Sequence, residues 1–299
     1  MRTSLRKLEI FAKVAETEHV TKASELLLLS QSAVSMALAD LEKQAGSPLF
    51  QRQGRRLFLN DRGRGLLSAA QQVLTQLDNF EKLLDESAAE PIGELIIGAS
   101  TTIGNYLLPA LMATFSQRYP RAKALLQVGN TQQIETALER GDIDLGLIEG
   151  PCHSQALERL HWRDDELVVI VGTHHPWTKR PYIDQAELKN ADWIVREKGS
   201  GTREVFEAAM SETVQNYPTV LELGHTEAIK KAVEAGLGVS CLSRLAVERE
   251  LQQGWLVAVK SPLQLSRPLT ILLRQNCYQS KLLKSCLELL QSAPSSAAG

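Results

Sequence analysis

Three short polar turns concentrate the chemistry in the later part of the chain: Ser100-Thr101-Thr102, Gly129-Asn130-Thr131 and Gly199-Ser200-Gly201-Thr202-Arg203. Each follows an apolar run of strand length and opens a helical pattern. Free backbone N–H groups and the positive end of the helix dipole collect at such points, which suits anions. Small hydroxyls add donors without bulk. In open α/β sheets ligands gather beyond the carboxyl ends of the strands. One such turn is ordinary N-capping; three converging on one cleft point to a small anionic ligand. The expected ligand set is Ser100, Thr101, Thr102, Asn130, Thr131, Ser200, Gly201 and Thr202. Glu149, just after the run ending at Ile148, joins it as a cleft-wall acceptor. A carboxylate there repels a fully charged anion but tolerates a protonated one, or a ligand with a hydroxyl donor.

Cys152 beside His153 allows a second reading, a thiol redox sensor whose pKa a neighbouring imidazole lowers. No ligand pair at metal spacing accompanies it, so neither a metal nor a cofactor is expected. His174-His175-Pro176-Trp177 reads as a surface loop. Gly199-Ser200-Gly201 lacks the Lys-Ser/Thr ending of a P-loop, and no nucleophile elbow with a matching His and acid is present. An α/β enzyme with an appendage is therefore the weakest reading, and no catalytic residue is assigned.

A second group of residues has different chemistry. Thr21 to Glu42 reads as two short helices broken by a tight turn. Ser30 suits an N-cap. After it Val34, Leu38 and Leu41 share one face, leaving Gln31, Ser32, Ser35 and Met36 outward. Small and polar residues at the start of an anchored helix fit a helix that enters the DNA major groove. Alone, the segment also fits an ordinary helical hairpin. Its neighbour favours DNA: Leu49 to Leu59 reads as strand, Gly-containing turn, strand, with Arg52, Arg55 and Arg56 at the tip, placed to meet phosphates. Thr21, Lys22 and Ser30 complete the expected DNA-facing set. Residues 1–65 hold eleven Lys and Arg against seven Asp and Glu, a net of +4 in a chain of net −2. Positive charge is concentrated where the motif is.

These groups need elements to hold them. With 299 residues, 43% hydrophobic, the chain can build two or three cores. No apolar run approaches the roughly 20 residues that span a bilayer, and no signal peptide is expected after Met1-Arg2-Thr3-Ser4. Cys152, Cys241, Cys277 and Cys286 form no C-x-x-C pair, which fits a reducing cytoplasm. A helix capped by Asn60 or Asp61 is expected to reach about Ser87. Leu66, Ala70, Val73, Leu77, Phe80 and Leu84 alternate by four and three along it, a seam for pairing with a second chain. Beyond a Pro- and Gly-containing break at 87–93, strands and helices alternate, which predicts an α/β region with parallel sheets. A second βα series after a break near Gly172–Arg180 suggests two lobes that close on a ligand, as in periplasmic binding proteins. The expected division is a winged helix-turn-helix over 1–60, a linker helix over 61–90, a two-lobed domain over 91–291 and a disordered tail over 292–299.

The order of these motifs, with Ala23-Ser24, Leu26, Ser30-Gln31-Ser32-Ala33-Val34-Ser35, Leu41-Glu42 and Leu49-Phe50-Gln51-Arg52, resembles the LysR-type transcriptional regulators over nearly the full length. Ser32 stands where proline is common, Ser24 where a second alanine is common, and Met36 where a basic residue is frequent. The resemblance implies a mainly α winged helix-turn-helix with a dimerising linker helix. It also implies a two-lobed, periplasmic-binding-protein-like effector domain whose chain crosses back to the first lobe near its end. It further implies a homodimer or homotetramer on double-stranded DNA with an inverted-repeat site, and RNA polymerase as a further partner. Within the family, Ala99 to Pro109, Ile148 to His153, Gly199 to Glu204 and Gly238 to Ser243 resemble the YeiE-type branch. That likeness implies sulfite or a related oxyanion as effector.

Overall fold

The computed structural model describes residues 3–54, 56–84, 91–213 and 217–292. They form two compact units, Met1–Ser87 and Ala88–Gly299. The first begins with α1 (Leu5–Thr17), α2 (Val20–Leu26) and α3 (Gln31–Ala45). Ser30 caps α3 as expected, its Oγ accepting from Ala33 N at 3.2 Å. Ile10, Phe11, Val14, Val34, Leu38 and Leu41 close the core, with Phe11 edge-on to Phe50 at 5.6 Å. Strands β1 (Phe50–Gln53) and β2 (Arg56–Leu59) form the antiparallel wing. Glu42 and Glu18 tie it down: Glu42 accepts from Leu49 N at 2.7 Å and from Phe50 N at 3.3 Å, and Leu57 N donates to Glu18 O at 2.8 Å.

Helix α4 (Asp61–Leu84) starts under the Asn60 cap, whose Oδ1 accepts from Gly63 N at 2.8 Å. Gly63 is required there, because a Cβ would lie 2.2 Å from the Leu49 carbonyl oxygen. The expected six-residue seam is corrected. Ala70 is buried in the core of its own unit and Leu77 is half-buried, because α4 packs along α1 and that packing takes one stripe of the helix. Leu66, Val73 and Phe80, seven residues apart, stay 39%, 45% and 55% exposed. The Leu84 side chain, Arg55, the residues of the 85–90 break and those of the 293–299 tail lie outside what is described.

The second unit is built on one continuous sheet. Its elements are β3 (Gly93–Ser100), α5 (Leu108–Arg118), β4 (Ala122–Gly129), α6 (Thr131–Arg140), β5 (Leu145–Glu149) and the long β6 (Leu157–Gly172). There follow α7 (Gln185–Asn190), β7 (Trp193–Arg196), α8 (Gly201–Thr213), β8 (Thr219–Leu223) and α9 (Thr226–Glu234). The last are β9 (Val239–Ser243), α10 (Arg244–Gln252), β10 (Leu256–Val259), β11 (Ser266–Arg274) and α11 (Lys281–Ser292). The strand order is β4-β3-β5-β11-β6-β9-β7-β8, with β10 on the far half of β6.

Residues 157–166 of β6 pair with β11 in the first lobe, and 167–172 pair with β9 and β10 in the second. The lobes thus exchange within a strand, near residue 166. The break expected at Gly172–Arg180 is misplaced, since the charged stretch Glu158 to Asp165 hides its strand character. The sheet is mixed and not parallel: β3, β4 and β5 run parallel, as do β7, β8 and β9, but β11 and β6 run against their neighbours. Antiparallel return strands are what carry the chain between lobes and back. α11 then packs Leu282, Cys286 and Leu290 onto the first-lobe core of Leu95, Ile97, Leu147 and Ile271. The second lobe packs Trp193, Phe206 and Met210 on one face of its strands and Ile229, Val233 and Val247 on the other.

Two local readings also change. The helix expected from Thr102 opens as a single π turn over Ile103–Leu107, because Pro109 near the start of α5 has no N–H to give the preceding turn. The His174–Trp177 segment is anchored and not a free loop: a 3₁₀ turn follows His175, and Trp177 is buried in the second-lobe core.

Candidate functional site

The three turns do converge. Ser100, Thr101 and Thr102 at the end of β3, Thr131 at the start of α6, and Ser200 and Thr202 around the start of α8 are all buried. Much of their hydrogen bonding is spent on one another. Thr131 Oγ1 donates to Glu149 O at 3.0 Å and accepts from Gly201 N at 3.2 Å. Gln132 N reaches Gly199 O at 3.1 Å, and Asn130 Nδ2 reaches Lys198 O at 3.4 Å. Asn130 and Gln133 also form a reciprocal capping box. Asn130 and Thr131 therefore clasp the two lobes together. Gly201 makes the clasp possible: a Cβ there would lie 1.7 Å from Glu149 O, so backbone meets backbone with no room for a side chain.

Two arginines that the sequence reading missed floor the cleft. Arg267, near the start of β11, is buried. Its Nε donates to Asp165 at 2.8 Å, Nη1 to Thr202 Oγ1 at 2.9 Å, and Nη2 to Glu149 at 3.0 Å and Thr102 Oγ1 at 3.4 Å. One guanidinium thus joins both lobes. Arg196, ending β7, grips Glu197 through Nε and Nη2 at 2.8 and 2.9 Å. It also donates to Thr101 Oγ1 at 3.2 Å and to Thr226 Oγ1 at 3.5 Å. Thr101 Oγ1 donates in turn to Gly129 O at 3.1 Å. A charged residue at the edge of an apolar run, Arg196 after Trp193-Ile194-Val195 and Arg267 before Pro268-Leu269, was the available signal. Periodicity could not say that these charges turn inward.

Against this satisfied network, two hydroxyls stand out. Ser100 Oγ and Ser200 Oγ are buried and have no hydrogen-bond partner among the described residues. A buried hydroxyl left unpaired costs roughly 1–3 kcal/mol. Glu149, the expected acceptor, is held by Arg267 and also accepts from Thr102 N at 3.4 Å.

Cys152 does not gain the activation expected from His153. Burial, then the charge of Glu135, push its thiol pKa up. The His153 imidazole instead meets Glu204 of α8 at 2.8 Å, and that hydrogen bond raises its own pKa. Among the described residues, no group of three or more His, Cys, Asp or Glu is placed to hold a metal ion.

In the first unit Gln31, Ser32, Ser35 and Met36 lie exposed on α3, with Thr21, Lys22 and Ser30 exposed beside them. Arg52 and Arg56 are exposed on the wing, Arg56 lying 3.8 Å from Glu18. Ser24, by contrast, is buried with its hydroxyl on Thr21 O at 2.7 Å. Leu28, in the turn before α3, sits at φ 54 and is 93% exposed.

Residues 5–64 match the bacterial regulatory helix-turn-helix proteins of the lysR family, and residues 88–295 match the LysR substrate binding domain. The chain belongs to the LysR family of transcriptional regulators: it pairs a helix-turn-helix unit with an effector-binding domain, and the family's members are regulators, not enzymes. It is 44% identical over 263 residues, 88% of each chain, to the uncharacterized HTH-type transcriptional regulator YeiE of Escherichia coli strain K12. It is also similar to a full-length OxyR variant from Pseudomonas aeruginosa, with 25% identity, a TM-score of 0.75 and coverage of 97% of this chain and 94% of that one. The regulatory domain of Synechocystis PCC6803 CcmR in complex with 2-PG matches with 28% identity and a TM-score of 0.64, over 68% of this chain and 98% of that one. Among the described residues no helix is long and apolar enough to cross a membrane.

Proposed function

We propose that this regulator, acting in the cytoplasm, adjusts its grip on an inverted-repeat promoter site in response to a small oxyanion, sulfite first, taken up between the lobes. The observation that carries the reading is the pair of buried, unpaired hydroxyls, Ser100 Oγ and Ser200 Oγ, beside turns that Arg267 bridges. A ligand with several acceptor oxygens supplies what these hydroxyls lack. Charge selects the protonation state. Arg267 faces both Glu149 and Asp165, so the cluster is already negative by one. A doubly charged anion is disfavoured, whereas a singly charged, protonated oxyanion can donate to Glu149. Sulfite takes up a proton near neutral pH. The relative CcmR, whose regulatory domain holds 2-PG, supports a small ligand in this fold. Ligand-driven movement of one lobe against the other would bias the assembly between two shapes, by no more than the ligand's differential affinity for them.

On the DNA side, Gln31, Ser32, Ser35 and Met36 face the major groove, Thr21, Lys22 and Ser30 flank it, and Arg52, Arg55 and Arg56 meet the backbone. Two such helices require two chains, paired through the exposed Leu66, Val73 and Phe80 stripe of α4, with effector domains joining dimers into a tetramer. RNA polymerase is a partner of the bound assembly.

Titration calorimetry of the full-length protein with sulfite, sulfate, phosphate and small carboxylates tests the effector. Sulfite should bind, more tightly below neutrality than above it. Absence of heat with every anion refutes the reading, as does sulfite binding that survives Ser100→Ala with Ser200→Ala.

A further inference from the structure

We infer that Met36 recognises the C5-methyl group of a thymine in the major groove, and so sets one base of the operator half-site. The inference rests on the reading of α3 as the groove helix.

Met36 is 70% exposed, and it is absent from the hydrophobic core that Val34, Leu38 and Leu41 of the same helix build. The fold therefore gains little from an apolar side chain at this position. Its neighbours on the outward face, Gln31, Ser32 and Ser35, are polar and exposed. Ser32 lies one turn before Met36, and its hydroxyl is engaged with Ser30 Oγ at 2.9 Å. Helical side chains lean back over the preceding turn, so Met36 extends over this serine and presents a flexible thioether chain that can give no strong hydrogen bond. The base edges in the major groove offer donors and acceptors at every pair, and one apolar group, the thymine methyl. An apolar side chain among polar readers has that one complement. An unbranched chain is also the type that adapts its contour to a small methyl target. Arginine in its place would instead carry the paired donors that read guanine.

The test uses the full-length protein. Selection from random duplexes at fixed salt defines the preferred site, and each thymine is then replaced by uracil in turn. At one thymine in each half-site, uracil should weaken wild-type binding about fourfold, the worth of one buried methyl. Met36→Ala should bring that thymine-to-uracil ratio to about one, Met36→Leu should retain it, and Met36→Arg should move the preferred base towards guanine. If every thymine tolerates uracil while Gln31→Ala still alters base preference, the groove face stands and the role of Met36 is overturned. If no α3 substitution alters preference, the groove assignment fails and takes this inference with it.

Discussion

The two units keep their recognition chemistry in opposite ways. On α3 and the wing, the described residues assigned to DNA are exposed and close in sequence. In the cleft most are buried and bonded to one another, and the partners of Arg267 lie 65 to 165 residues away from it in the chain. A solvated surface loses little when one side chain changes, because water replaces it. A buried polar network has no such substitute, so each member's loss leaves its partners unpaired. On the proposed reading, the surface would select by which groups are offered and the cleft by which groups are left unsatisfied.

The largest expected effect tests that contrast at Arg267. Arg267→Met leaves Glu149 and Asp165 buried without their cation, and breaking such a pair costs about 3–5 kcal/mol. Chemical denaturation should show it, and adding Glu149→Gln with Asp165→Asn should recover much of the loss. A change under about 1 kcal/mol would mean that the cleft is wetter than its geometry implies. Next comes Gly201→Ala. Its Cβ would meet Glu149 O at 1.7 Å, and the resulting separation of the turns should cost about 1–3 kcal/mol and abolish the calorimetric response to sulfite. DNA affinity without effector should change far less.

The exposed stripe of α4 gives the corresponding test of the first unit. Val73→Glu places a charge in the proposed pairing surface and should shift the assembly towards monomers by light scattering at micromolar concentration, with the monomer fold intact by circular dichroism. An unchanged mass would count against that stripe.

A smaller effect concerns pH. Glu204 raises the His153 pKa in the folded protein, so the contact stabilises fully below the ordinary imidazole range and is lost as pH rises through the raised value. The two side chains are 68% and 41% exposed, and solvent screening limits the contribution to under about 1 kcal/mol. Thermal unfolding of wild type against His153→Gln should diverge at slightly acidic pH and converge in mild alkali. A local effect of similar size tests strain in the first unit: Leu28 holds φ 54 without burial to offset it. Leu28→Gly should raise stability by about 1 kcal/mol, read as a higher midpoint in urea.

Much of the architecture is legible in local pattern. Ser30 with Val34, Leu38 and Leu41 marks α3 because capping and a 3.6-residue period are short-range facts. The wing strands Phe50–Gln53 and Arg56–Leu59 likewise fall within the strand, turn, strand reading of Leu49 to Leu59. The failures have a common cause. The first half of β6, the short β10 and α7 are too charged or too brief to carry a period that decides them. The α4 seam was regular in sequence, yet Ala70 went to α1, because periodicity counts apolar positions without saying which neighbour covers them.

The candidate cleft divides in the same way. Hydroxyl-rich turns after strands are visible in Ser100-Thr101-Thr102 and Ser200-Gly201-Thr202, since a turn's residue types express its own backbone needs. That Asn130 and Thr131 clasp the lobes, that Arg267 and Arg196 point inward, and that Ser100 and Ser200 are left unpaired was decided by tertiary structure. The sequence by itself determined the family, the helix-turn-helix and the small hydroxyl donors, all of which depend on residues within a turn or two of one another. Only the fold decided which donors are already occupied, because occupancy depends on distances between strands that the chain brings together from its far ends.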